Sequence, residues 1–188
     1  NLDVTVNPTP NVSATPNFQL ICSGTTTNIG LTTTITGATV TYSWTAAVTS
    51  GSATGFTNGS GSPIAETLTN TGTSHAVVTY TITPAIGTCT GISITVDIIV
   101  NRSGNVIPSG NQTACNDTNT AVIAFSTTNS DGATTYTWTN NNTAIGLGAN
   151  GNGNIPSFLA TNTGTAPIFG NIIVIPTSTN NALACVGP

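Results

Sequence analysis

The sequence predicts an all-β protein made of two β-sandwich domains in tandem. Two observations carry this prediction. Apolar residues alternate with Thr or Ser at period two in several short segments, while helical spacing of apolar residues is hard to find. A set of landmarks also recurs once along the chain, at offsets of 92 to 96 residues. Together they indicate two copies of one all-β unit.

The repeated landmarks fix the domain boundaries. Each occurs in the same order in both halves: Cys22 and Cys115, Tyr42–Thr45 and Tyr136–Thr139, Asn70–Thr73 and Asn162–Thr165, Pro84 and Pro176, Cys89 and Cys185. We therefore predict a complete repeat over residues 8–101 and a second repeat over 102–188 that lacks its last strand. Residues 1–7 resemble the segment before Asn101, so they are predicted to be the final strand of a preceding repeat. Asn101–Asn105 is the predicted linker.

Predicted strands follow one another between clusters of Gly, Asn and Pro. The alternating segments are Val40–Trp44, Val78–Ile82, Ile92–Val96, Tyr136–Trp138 and Ile173–Ile175, with Thr and Ser expected on the outer face. Threonine is β-branched and suits a pleated surface. Many short strands in one repeat favour a sandwich.

The aromatic residues predict where the sandwich core lies. In each repeat a Trp follows the first Cys by 22 or 23 residues, as Trp44 and Trp138. A tryptophan at such a position packs between the sheets in Ig-like folds. Tyr42 and Tyr136 stand two residues earlier, on the same strand face. These four residues are the predicted core aromatics.

Four widely spaced cysteines in a chain with almost no charge predict two disulfides and an oxidising compartment. The predicted pairs are Cys22 with Cys89 and Cys115 with Cys185, one bridge inside each repeat. Each bridge would close a loop of about 70 residues and stabilise it by about 4 kcal/mol. The alternative is four free, buried thiols.

The charge content excludes several classes of function. Only 3% of the residues are charged, and Lys and Arg together number one, Arg102. A single cation does not support nucleic-acid binding, and no apolar run is long enough to span a membrane. We expect no enzymatic activity, no catalytic residues and no cofactor, because one histidine and five scattered acids assemble few active sites.

Several residues are candidates for a functional site. His75 is expected in a solvated turn before a strand. Asp117 and Asp131 are the residues most suited to bind calcium if they converge at one end of a sandwich, but no metal site is predicted.

The Gly-rich segment Gly146–Asn154 lacks the Lys or Asp of a phosphate or calcium loop, so it is expected to be a flexible loop. Phe56 and Phe158, predicted in loops, are the possible ligand contacts.

Several segments resemble a known family. Val6–Pro10, Ile21–Thr25, Tyr42–Trp44, Tyr80–Pro84 and Gly87–Gly91 are similar to the PKD-like, Ig-like repeats of giant Bacteroidota surface proteins. These include SprB-type gliding-motility adhesins and other type IX-secreted proteins. The match is looser in the second repeat, at Thr113–Asp117 and Ala184–Gly187. The resemblance implies an extracellular location at the cell surface, tandem arrays, a spacer or adhesive role, and no catalytic residues.

The sequence therefore predicts a secreted stalk or filament module that contacts neighbouring repeats of its own polypeptide. One alternative is a carbohydrate-binding module that contacts surface glycans, which exposed aromatic side chains at Phe56 or Phe158 would favour. A second alternative is a pilus-like subunit completed by strand donation from another copy, with residues Leu2–Val6 as the donor.

Overall fold

A computed structural model describes all 188 residues, Asn1–Pro188. The chain forms two units, Asn1–Arg102 and Ser103–Pro188. Both consist of β-strands, and the only helical segment is a 3-10 turn at Thr143–Ile145. The structure contains no helix that is long and apolar enough to cross a bilayer.

Unit 1 contains eleven strands. They are β1 (Ser13–Thr15), β2 (Phe18–Cys22), β3 (Thr25–Thr26), β4 (Gly30–Thr32), β5 (Thr41–Ser50), β6 (Ala53–Thr54), β7 (Gly59–Ser60), β8 (Thr67–Asn70), β9 (Ala76–Ile86), β10 (Cys89–Thr90) and β11 (Ile94–Asn101). The large sheet has the order β2-β11-β9-β5-β7, with β10 also paired to β9. Strand β2 is parallel to β11, and the other pairs are antiparallel. Smaller sheets, β3-β8-β6 and β1-β4, form the second layer.

The core of unit 1 lies between these layers. Strand β9 alternates strictly, so Val78, Tyr80 and Ile82 are fully buried, while Thr79 and Thr81 point outward. Ile29, Ile64 and Leu68 come from the opposite layer and are equally buried. The period-two alternation therefore corresponds to a sandwich in which each layer has one buried face.

Unit 2 contains six strands, β12 (Thr118–Asn119), β13 (Ala133–Asn140), β14 (Asn150–Asn152), β15 (Leu159–Ala160), β16 (Ile172–Asn180) and β17 (Leu183–Val186). The main sheet has the order β14-β13-β16-β17, and β12 pairs with β15. The buried apolar residues are Trp138, Leu147, Ile155 and Cys185. Strand β16 occupies the place of β9, but unit 2 has no strand in the place of β11. Its core is correspondingly smaller.

The inward face of β16 differs from the prediction. Ile173 and Ile175 point outward and remain 59% and 41% exposed. The register explains the difference, because Val174 lies opposite the buried Trp138 and must share its face. Alternation located the strand, but the cross-strand partner decided which face is buried.

Residues 1–7 form no strand within this chain. Leu2, Val4 and Val6 are 91%, 80% and 86% exposed. Their assignment to a preceding repeat stays a prediction.

Candidate functional sites at the two ends of each unit

The distal end of unit 1 is the end where the chain leaves β11. Here Cys22 lies beside Asn101 in the parallel register of β2 and β11, and the Ser23 amide donates to the Asn101 carbonyl at 2.8 Å. The Arg102 guanidinium donates to the Gly72 carbonyl. These contacts place the first cysteine of the repeat next to the departing chain.

The proximal end of unit 1 is the end where the chain arrives, at Pro10. Cys89 lies there, because it pairs with Ile86 at the far end of β9. The Gly91 amide donates to the Pro84 carbonyl at 2.9 Å. A methyl group on Gly91 would overlap the Pro10 carbonyl, so a larger residue cannot replace this glycine without movement. The Cys89–Gly91 motif thus packs against the arriving chain.

Unit 2 repeats the proximal arrangement. Cys185 on β17 lies opposite Ser178, and its carbonyl accepts from the Gly104 amide at 2.9 Å. A methyl group on Gly187 would overlap the Gly104 carbonyl. Gly104 therefore stands where Pro10 stands in unit 1.

The residues that follow Pro10 and Gly104 make matching hydrogen bonds in the two units. Asn11 Oδ1 accepts from Thr33 Oγ1 and the Thr34 amide, and its Nδ2 donates to Thr34 Oγ1. Asn105 makes the same three bonds with Thr127 and Thr128. The offset of 94 residues between these asparagines aligns Leu2, Val4 and Val6 with Val96, Ile98 and Val100.

Cys115 lies at the distal end of unit 2. The Asp117 amide donates to Ala160, and the next residue, Thr161, donates its amide to Ile145 in the turn that follows β13. That turn lies beyond Asn140, which is paired with Ile172 at the start of β16. Cys185, opposite Ser178, is six residues further along β16, about 20 Å away.

The predicted disulfide pairs are wrong. Cys89 and Cys115 are free, exposed thiols, whereas Cys22 and Cys185 are disulfide-bonded. Each predicted pair thus combines one bonded cysteine with one free thiol, so neither pair forms. The fold explains why Cys22 does not reach Cys89, since ten residues of β9 separate their ends of the sheet, about 30 Å. The prediction of a disulfide itself is confirmed, but its partners are not.

The repeated Asn-Thr-Gly-Thr motif forms a turn stabilised by its asparagine. Asn70 Oδ1 accepts from the Gly72 amide, and Asn70 Nδ2 donates to the carbonyls of Ser74 and Val100, both at 2.8 Å. Asn162 makes the corresponding bonds to Gly164 and Ala166. It has no bond corresponding to that with Val100, because unit 2 has no counterpart of β11.

The predicted aromatic residues occupy related positions at the two cores. Trp138 is buried, with 6% of its surface exposed, and Trp44 and Tyr42 are half-buried against the core of unit 1. Tyr136 is half-buried, with its ring centroid 5.4 Å from that of Phe125. Trp44 Nε1 donates to the Thr57 carbonyl at 3.2 Å, but the buried Trp138 Nε1 has no partner.

Each tryptophan lies on a glycine of the neighbouring strand. A methyl group on Gly59 would come within 2.6 Å of Trp44 Cζ2, and one on Gly151 would overlap Trp138 Cζ2. Both glycines thus allow the indole ring to lie flat on the backbone.

A hydrogen-bonded pair, Tyr80 with Glu66, was not predicted from the sequence. Tyr80 has no exposed surface, and its hydroxyl donates to Glu66 Oε2 at 2.6 Å. Glu66 Oε1 accepts from the amide and the hydroxyl of Thr57. Burial, then the hydrogen bond and negative charge of Glu66, raise the pKa of Tyr80 far above its usual range. The alternation Val78-x-Tyr80-x-Ile82 indicated the burial, but nothing in the sequence linked Glu66 to it.

The aspartates considered for calcium do not converge. The Asp117 backbone lies at the distal end of unit 2, whereas Asp131 accepts from Asn180 Nδ2 at 2.9 Å at the opposite end of β16. The possibility that they form a calcium site at one end is therefore wrong. His75 immediately precedes β9, as predicted. No group of three or more His, Cys, Asp or Glu side chains is placed to hold a metal ion.

Phe56 and Phe158, the possible ligand contacts, are half-buried and pack against the cores of units 1 and 2. Phe169, which the sequence did not single out, is 81% exposed. The two predicted contact residues therefore do not provide the exposed aromatic side chains that would favour carbohydrate binding.

Two comparisons with known proteins bear on this architecture. No curated protein matches the chain significantly. A family model of the PKD-like domain matches residues 19–104. The matched range runs from β2, beside Cys22, through the whole large sheet and ends at Gly104. PKD-like domains are typically extracellular and structural. The first unit of this chain is therefore similar to PKD-like domains over this range.

Proposed function

We propose that the chain is a non-enzymatic repeat module of a secreted cell-surface protein and acts as a stalk or spacer. The observation that carries the proposal is the repetition of one set of contacts in both units. The Asn11 and Asn105 clusters, the Gly91 and Gly187 contacts and the two tryptophan–glycine pairs follow the same order with offsets between 92 and 96 residues.

A tandem array of this kind suits a mechanical role. Stability rests on sheet hydrogen bonds and packed cores, since only 3% of the residues carry charge. Few charges mean little screening by salt and little titration, so the module would keep its structure as ionic strength and pH vary outside a cell. The resemblance to giant Bacteroidota surface proteins extends the proposal to an adhesin or filament that acts in surface attachment or gliding.

The test is to label intact cells of the source organism with an antibody against this chain. We expect labelling without permeabilisation, and a shorter surface projection in electron micrographs when residues 1–188 are deleted in frame. Replacement by an unrelated two-domain β-sandwich spacer is the control and should restore the projection. Labelling that requires permeabilised cells would reject the proposal. Glycan binding by the isolated chain would instead support the carbohydrate-binding alternative.

A second candidate function is a pilus-like subunit completed by strand donation. Its supporting observation is the exposure of Leu2, Val4 and Val6, which align with Val96, Ile98 and Val100, three residues with at most 1% exposure on β11. Unit 2 has no strand in that place, and Asn162 has no counterpart of the bond from Asn70 to Val100. Residues 2–6 of another copy match this position in their alternation of apolar residues.

A matched pair of variants tests strand donation. Val4→Asp places a charge on the predicted inward face, while Thr5→Asp places it on the outward face, aligned with Ile99. Analytical ultracentrifugation of reduced protein should show concentration-dependent association that Val4→Asp abolishes and Thr5→Asp retains. Equal association of both variants, or none in the unmodified chain, would reject this candidate.

A further inference from the structure

The outward face of the main sheet of unit 2 carries exposed aliphatic side chains. Ile173 and Ile175 on β16 and Val186 on β17 are all exposed. They share one face, because Val186 lies opposite Thr177, which continues the alternation of the two isoleucines. The opposite face of the same sheet packs against the core of unit 2. We call these three residues the aliphatic stripe.

Unit 1 has hydroxyl side chains at the same positions. Pro84 lies opposite Tyr42 and Pro176 lies opposite Tyr136, so the two sheets have the same register. In that register the stripe residues Ile173, Ile175 and Val186 correspond to Thr81, Thr83 and Thr90. The fold therefore accepts threonine at all three positions. Contiguous exposed aliphatic residues that the fold does not require indicate contact with another molecule.

The stripe is bordered by a row of hydroxyl groups. Thr137 and Thr139 on β13 lie opposite Ile175 and Ile173 and are exposed on the same face. An apolar centre with a polar rim is typical of protein–protein interfaces. The face is that of a sheet, and two sheets can pack with their faces about 10 Å apart. A second copy of this face matches it in shape and in polarity.

The distribution of charge favours contact between two copies of this face. In a two-fold contact, a charge near the axis approaches its own counterpart and is repelled. The outward face of unit 1 carries such a charge, Asp97, whose carboxylate accepts from Thr79 Oγ1 at 2.6 Å. Strands β13, β16 and β17 contain no charged residue. The face of unit 2 can therefore meet a second copy without repulsion between like charges.

We propose that the aliphatic stripe is the contact surface for a second copy of this chain, which packs its own stripe against it about a two-fold axis. From strand spacing and rise, the face over β13, β16 and β17 is about 30 Å long and 15 Å wide, roughly 450 Å². A standard interface buries about 800 Å² per partner, so this dimer is weak and reversible. The inference goes beyond the proposed spacer role, since a spacer needs no contact between copies.

The experiment is sedimentation equilibrium of the full chain at concentrations up to about 1 mM, the weak end of measurable affinity. The background protein carries Cys89→Ser/Cys115→Ser, which prevents disulfide-linked dimers. It also carries Val4→Asp, which removes the strand donation considered above. Ile173→Thr/Ile175→Thr gives unit 2 the residues of unit 1, and the β-propensity of threonine preserves the strand.

Val122→Thr is the matched control. Val122 is 58% exposed, against 59% for Ile173, and precedes Ile123, which pairs with Ile155 outside the main sheet. We expect the background protein to form a dimer whose Kd rises at least about tenfold in Ile173→Thr/Ile175→Thr. The control should change the Kd less than about twofold. Absence of a dimer in the background protein, or equal effects of the two variants, would overturn the proposal.

A pair of charged variants tests whether the same face meets itself. Ile175 lies between Ile173 and Val186 in the stripe, so it is the residue nearest the proposed axis. Ile175→Asp alone and Ile175→Lys alone should each raise the Kd at least about tenfold, and an equimolar mixture should associate more tightly than either variant. A mixture that associates no better than its components would overturn the two-fold contact. Surface labelling of cells tests the spacer role separately, so the two failures are distinguishable.

Discussion

At the scale of single residues, the tryptophan–glycine pairs make a direct prediction. Gly151→Ala places a methyl group against the rigid indole of Trp138, and we expect unit 2 to lose about 1–3 kcal/mol of unfolding free energy. Gly148 has open space around it, so Gly148→Ala should change stability by less than about 0.5 kcal/mol. The measurement is urea unfolding followed by Trp138 fluorescence in a Trp44→Phe background. Equal effects of the two substitutions would contradict the proposed contact.

The buried Tyr80 predicts a loss of stability in alkali. Its pKa is raised in the folded unit, so the unfolded chain releases the proton first, near pH 10. The contribution of Tyr80 is fully present below that pH and is lost progressively above it. Tyr80→Phe removes the hydrogen bond to Glu66 and should cost about 1–3 kcal/mol at neutral pH. The difference in unfolding free energy between Tyr80→Phe and the unmodified chain should shrink as pH rises beyond 10.

The measurement is the unfolding midpoint of unit 1 from Trp44 fluorescence between pH 8 and 11, in a Trp138→Phe background. Cys89→Ser/Cys115→Ser is included to prevent disulfide exchange in alkali. Tyr42→Phe is the comparison, because burial alone raises the pKa of Tyr42 and its hydroxyl has no Glu partner. A stability difference that stays constant to pH 11 for Tyr80→Phe would show that Tyr80 does not control the alkaline loss.

At the scale of elements, the two asparagine turns differ by one hydrogen bond. Asn70 ties the turn after β8 to Val100 on β11, and Asn162 lacks that third bond. Asn70→Ala should therefore destabilise unit 1 by about 1–3 kcal/mol more than Asn162→Ala destabilises unit 2. Urea unfolding of each unit, followed by its own tryptophan, measures both losses. Equal losses would mean that the bond to Val100 contributes little.

The sequence predicted strands well and their partners less well. The segments Val40–Trp44 and Val78–Ile82 lie almost entirely within β5 and β9, because alternation is a local property of the chain. The inward face of β16 and the pairing of the cysteines were wrong, because both depend on which residues the fold brings together. Glu66 beside Tyr80 was missed for the same reason, since 14 residues and a strand separate them.

At the scale of the whole molecule, the state of the four cysteines tests the pairing that the sequence alone predicted. Bridges within each repeat would leave no free thiol. In the structure Cys89 and Cys115 are free, exposed thiols, whereas Cys22 and Cys185 are disulfide-bonded. We therefore expect an alkylating reagent to label two thiols in denatured, unreduced protein, and four once a reductant is added.

Tryptic digestion assigns the two labels. Arg102 is the only Lys or Arg in the chain, so after reduction trypsin produces the fragments 1–102 and 103–188, each with two cysteines. Each fragment should carry one label from the unreduced protein, on Cys89 and on Cys115. Cys89→Ser is the matched control, and it should remove the label from fragment 1–102 only. A label on Cys22 or Cys185 would contradict the bonded state of these two residues, because a disulfide-bonded sulfur does not react with an alkylating reagent.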